Sequence, residues 1–103
     1  MKNLYDTNFV LGEGQIPSKL MIIGEYPGID DNKTGRPFSG KIGRTFNALL
    51  KQAGITRKEI YVTMAVKQFR PGNTRPSTMD IQNHRKYLIE EIKMVQPDRK
   101  SVV

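Results

Sequence analysis

The chain has 103 residues, one histidine, no cysteine and a formal net charge of +7. That length fits one compact domain around one hydrophobic core. Without cysteine there is no disulfide framework, thiolate nucleophile or thiolate metal site, and the lone His84 excludes a multi-histidine metal centre. No apolar stretch approaches the length of a membrane span, and the N-terminal MKNLYDTNFV lacks the apolar core of a secretory signal. A cytoplasmic protein without membrane contact is therefore expected. The basic residues gather over 33–44 and 67–75 and at Arg85, Lys86, Arg99 and Lys100, which makes a polyanion the natural partner.

Residues 1–18 are polar, broken by glycine and proline, and read as an irregular lead-in. KLMIIGE, residues 19–25, has a continuous apolar centre stopped by Gly24, the pattern of a strand buried on both faces. A turn-rich segment then runs to residue 40. From about Gly40 to Ala53, Ile42, Phe46, Leu49 and Leu50 recur at helical spacing, with Gly54 as a C-terminal stop. Thr56 and Glu59 have capping-box spacing and open one short turn. IYVTMAV, residues 60–66, is β-branched and apolar and predicts a second buried strand. KQFRPGNTRP, residues 67–76, is a basic loop. Ser77, with Asp80 three residues on, caps a second helix that ends before Pro97. Its apolar face is Ile81, His84 with Arg85 in part, Leu88, Ile92 and Val95. SVV starts a third strand, so residues 1–103 read as a single domain that stops as that strand begins.

This alternation predicts an α/β fold, a parallel sheet with flanking helices and right-handed crossovers. Ligands of such sheets sit outside the carboxyl ends of the strands. Segments 24–40 and 67–76 both leave carboxyl ends, so they are expected to meet on one edge. The first offers Glu25, Asp30 and Asp31 as general bases or water-orienting groups, with glycines that let backbone N–H groups approach a ligand. Phe38 sits among turn residues. It is either a platform on which a nucleobase stacks, worth ~1–3 kcal/mol, or a plug that seals the loop onto the core. Lys67, Arg70 and Arg75 surround a Pro-Gly-Asn turn and suit phosphates, or else form a solvated connection. Neither GEYPG nor GKIGR has the spacing of a phosphate-binding P-loop.

FVLGEG, KLMIIGEYPG, the acid pair, KTGRPFSGKIGR, YVTMAVKQFRPGNTRP and the helix around HRKYL span about residues 9–97. Together they resemble the N-terminal part of the iron–sulfur, family 4 uracil-DNA glycosylases. The resemblance implies a DNA-repair hydrolase that cleaves the N-glycosidic bond of a uracil flipped out of single-stranded or mismatched DNA. It implies that Glu25 and Asp31 shape the pocket and position the attacking water. Phe38 would stack on the base, with Gly24, Tyr26, Gly28 and residue 64 forming the rest of the base site. Lys67, Arg70, Asn73 and Arg75 would lie along the DNA.

The sequence departs from that family at three places. The asparagine that reads the uracil edge is replaced by Met64, which lacks paired donor and acceptor groups. Gln68 and His84 occupy two of the cluster-cysteine positions and the N-terminal pair has no counterpart, so no metal or other cofactor is expected. The family's later His-Pro motif lies past the third strand, so a completing chain or a homo-oligomer is expected to finish the site and cover the sheet edge. Two other readings of the same scaffold stand beside the enzyme. One is a catalytically silent DNA-binding module, and the other is a viral or mobile-element interaction protein.

Overall fold

Four strands, β1 (Glu13–Gly14), β2 (Leu20–Gly24), β3 (Tyr61–Met64) and β4 (Arg99–Val102), stand in the order β1-β3-β2-β4 in a computed structural model that describes residues 9–69 and 75–102. The two apolar runs take the centre. β2 pairs in parallel with β3, from Met21 opposite Tyr61 to Gly24 opposite Met64, and in parallel with β4, from Leu20 opposite Arg99 to Ile23 opposite Val102. The expected α/β architecture is present, with one difference. The lead-in contributes β1, which runs antiparallel to β3, so the sheet is mixed. A two-residue strand carries no period for a sequence to display, and its pairing comes from β3's free edge.

Side-chain alternation divides the core into two layers. Ile22, Val62 and Met64 face one side and pack with Phe38, Leu50 and Ile60, with Phe46 partly buried against them. Met21, Ile23 and Tyr61 face the other and pack with Val95, Leu88 and Ile92. The first layer lies under α2 (Lys41–Gln52) and the second under α3 (Thr78–Val95). Both capping predictions hold. Asp80 N–H donates to Ser77 Oγ at 3.1 Å and Ser77 N–H donates to Asp80 Oδ2 at 2.9 Å. Thr56 donates to Glu59 Oε1 from its hydroxyl at 2.9 Å, opening a 3₁₀ turn at Arg57–Glu59. Caps of this kind contribute about 1 kcal/mol each.

Two expectations about helices are corrected. A short helix, α1 (Ile29–Thr34), occupies the middle of the turn-rich segment. On α2, Ile42 is 76% and Leu49 59% exposed, while Gly43 and Leu50 are buried. At about 100° per residue, the buried line through 43, 46 and 50 lies roughly 80° from the line through 42 and 49. The apolar residues span more of the helix than the sheet covers. Ile81 on α3 is likewise exposed. Among the described residues no helix is long and apolar enough to cross a membrane.

Candidate active site

The two loops do meet at the carboxyl edge. Ala65 N–H donates to Gly24 O at 2.7 Å and Val66 N–H donates to Glu25 O at 3.0 Å, so the chains stay tied past the strand ends. Across them Arg75 Nη2 reaches Glu25 Oε2 at 2.8 Å, with both side chains more than half exposed. Tyr26 beside them is half-buried, and Gly28 is exposed. Arg70 and Asn73 lie outside the described residues.

Gly24, Phe38 and Met64 converge on this edge. A Cβ on Gly24 would stand 2.6 Å from Met64 Sδ and 2.7 Å from Phe38 Cζ. Only a hydrogen there lets both side chains close over the strand end. Phe38 is 8% exposed, and its ring lies 5.1 Å from that of Phe46. Its φ is 53°, in the left-handed region where a bulky residue costs of order 1–3 kcal/mol. What holds it there is Arg57, which donates to the carbonyl oxygens of both Pro37 and Phe38, the latter at 2.8 Å. Gly43 completes the clamp, because a Cβ at that point of α2 would overlap the Phe38 carbonyl. Of the two sequence readings of Phe38, the packing seen is the plug, held in a conformation that neighbouring groups impose.

Asp31 is buried and pins the same loop. Its Oδ2 accepts from Gly28 N–H at 3.1 Å, and its Oδ1 accepts from Ser39 N–H at 2.9 Å and Ser39 Oγ at 3.2 Å. The spacing from Gly28 to Asp31 is that of a helix N-cap to its third residue, a signal for α1 that the surrounding turn residues obscured. The Gly28 N–H is therefore committed to Asp31.

Lys67 departs from its expected place. It is 4% exposed, with Nζ 2.5 Å from Glu91 Oε1, 2.5 Å from Met64 O and 3.1 Å from Thr63 Oγ1. All three ammonium protons are thus engaged, and the group faces the α3 layer instead of a phosphate. Glu91 also accepts from Tyr61 Oη at 2.7 Å and from Thr63 Oγ1 at 2.8 Å. Burial pushes the Lys67 pKa down, and the Glu91 charge opposes that shift. Burial, reinforced by Glu91, pushes the Tyr61 pKa up. Gly12 backs the network closely, where a Cβ would meet Thr63 Oγ1 at 2.8 Å.

Sequence reasoning missed Glu91, Arg57 and Gly43. Glu91 was findable, since it lies one helical heptad from His84 and three residues from Leu88, on the inward face of α3. Nothing local marks Arg57 or Gly43, whose partners lie in another element.

The residues at the family's cluster positions do not fit an iron–sulfur group. No thiolate is available in the chain. His84 Nδ1 accepts from Lys67 N–H at 3.0 Å, its ring lies 5.8 Å from that of Phe9, and residue 68 bridges to Phe9. Burial and then the Lys67 charge lower the His84 pKa, so the neutral imidazole is favoured there.

The family model for the uracil DNA glycosylase superfamily matches residues 11–103. A type-4 uracil-DNA glycosylase of Thermotoga maritima is 35% identical over 96 residues, covering 93% of this chain and 50% of that protein. Relatives of the same name from Pyrobaculum aerophilum and Archaeoglobus fulgidus are 35% and 29% identical over 92% and 89% of this chain. The chain spans about half the length of these curated relatives. With its α/β sheet and its two loops at the carboxyl edge, the chain belongs to the uracil-DNA glycosylase superfamily.

Proposed function

We propose that this chain supplies the base-binding side of a uracil-DNA glycosylase-like site, and that the protein repairs DNA by hydrolysing the N-glycosidic bond of an extruded uracil. The convergence of Gly24, Phe38 and Met64 at the carboxyl ends of two parallel strands carries this reading. Flipping brings the nucleotide to that edge, because the glycosidic bond is out of reach in the stack. There the Phe38 ring receives the base once the flexible Met64 thioether swings aside. A carboxylate offers about four acceptor positions, of which Asp31 gives two to the backbone N–H groups of Gly28 and Ser39 and shares a third with the Ser39 hydroxyl, which also reaches Arg36 O at 2.9 Å. A position left open would hold the attacking water, and the pinned carboxylate would fix where that water sits. Glu25 and Arg75 pair at the mouth, and in this reading the exposed Arg75 guanidinium meets a DNA phosphate. Groups acting on the sugar and the leaving anion come, in this proposal, from further polypeptide in the same or another chain.

The test is release of free uracil from single-stranded and mismatched DNA, with the polypeptide that completes the site present. Phe38→Ala should lower the rate by about 5- to 160-fold, the kinetic equivalent of a stacking contact. Asp31→Asn should lower it as well, while Glu90→Ala on the exposed side of α3 should leave it unchanged. Equal rates for all four proteins would remove the proposed roles.

A further inference from the structure

Beside Phe38, on the α2 side of the sheet, lies an open groove of about 430 Å³ whose lining includes Glu13, Arg36, Arg44, Asn47, Arg57 and Lys58. Base recognition does not account for it. Four cations line it against one carboxylate, and that carboxylate is already committed. Arg36 donates to Glu13 through Nε at 2.9 Å and Nη2 at 2.7 Å, which holds the Glu13 carboxyl below the usual carboxylate range. Arg44 and Lys58 have no ion pair among the described residues, whereas Arg57 feels the charges of Glu13 and Asp31 without pairing directly with either. Arg57 is fixed by the Pro37 and Phe38 carbonyls and by Asn47 Oδ1 at 3.3 Å, while its buried Nε–H has no hydrogen-bond partner there. Removal from water lowers its pKa. Arg44 and Lys58 are exposed. A concave surface with a rigid cation in its floor and two free cations on its rim suits a chain of phosphates.

We propose that this groove is a phosphate track that seats the backbone of single-stranded DNA, with Arg44 and Lys58 contacting phosphates. DNA is favoured over an acidic protein segment because the Phe38 loop, which belongs to the proposed base site, also forms one wall of the groove. The inference rests on the proposed function only for the identity of the polymer.

The test uses a labelled single-stranded oligonucleotide without uracil, titrated by fluorescence anisotropy over a range of salt. Arg44→Ala and Lys58→Ala should each make the slope of log K against log salt shallower by ~0.7, and the double variant by ~1.4. Lys93→Ala, on α3 across the sheet, should leave the slope at its wild-type value. Circular dichroism confirms that the variants are folded, which exposed side chains permit. Unchanged slopes, an equal loss for Lys93→Ala, or no binding by the wild type would overturn the proposal. Because the probe carries no uracil, a protein that shows these slopes but releases no base keeps the groove and loses the glycosylase reading. One that releases uracil with unaltered slopes does the reverse.

Discussion

Replacing Lys67 with methionine separates a structural lysine from a DNA-contacting one. The Lys67 side chain is 5% and that of Glu91 9% exposed, and their charged groups approach to 2.5 Å. Removing one member of a buried pair costs about 3–5 kcal/mol, because the other charge is stranded away from water. Glu91 would keep its hydrogen bonds from Tyr61 and Thr63, and methionine preserves the apolar stem, so the lower end applies. The expected loss is therefore about 3 kcal/mol. In urea, with a slope of about 1–3 kcal/mol per molar for a small domain, the midpoint should fall by about 1–3 M. Adding Glu91→Gln removes the stranded charge while keeping an acceptor for Tyr61, and should recover a substantial part of the loss. The salt slope of DNA binding should not change in the Lys67→Met protein. A variant as stable as the wild type with a shallower salt slope would refute the buried-pair account and return Lys67 to the DNA surface.

Gly43→Ala should destabilise the fold by about 1–2 kcal/mol in a thermal melt, although helix propensity alone predicts a gain of up to about 1 kcal/mol. A stabilised variant would contradict the placement of the Phe38 carbonyl against α2. Because the His84 pKa is lowered in the folded state, the unfolded chain binds the proton more readily. Stability should therefore be full above the unfolded value of about 6.5 and decline as pH falls through the folded value. His84→Gln should flatten that part of a Tm-against-pH profile, and a wild-type Tm that rises on acidification would contradict the sign. The purified protein should be colourless and iron-free by elemental analysis; stoichiometric iron with visible absorbance would overturn the ligand argument.

The central strands were legible because β2 and β3 are continuous apolar runs, and the helix starts because Ser77 and Thr56 carry their capping partners in the adjoining residues. The meeting of the two loops followed from topology alone, and the Arg75–Glu25 pair shows it. Lys67 was misread for a physical reason. It stands in a basic loop, and the carboxylate that draws it inward belongs to a helix that begins only after that loop. Phe38 shows the same limit. Its turn-rich surroundings left platform and plug both open, because the groups that fix it come later in the chain, Gly43 within α2 and Arg57 in the 3₁₀ turn beyond it. Apolar Ile42 and Leu49 were placed inside by spacing, yet spacing cannot tell how wide a face the sheet will cover.

The most direct measurement of the central claim is uracil release by Met64→Asn beside the wild type. Met64 is 3% exposed and lies at the end of β3 against Gly24, so an amide there stands on the floor of the proposed base site. The substitution should cost a few kcal/mol in packing, so folding is first confirmed by circular dichroism. A site that hydrogen-bonds its ligand discriminates far better than an apolar one, so uracil release should rise by roughly tenfold or more while cytosine stays untouched. If both folded proteins, assayed with the polypeptide that completes the site, bind DNA and neither releases uracil above background, the edge formed by Gly24, Phe38 and Met64 is not a glycosylase base site.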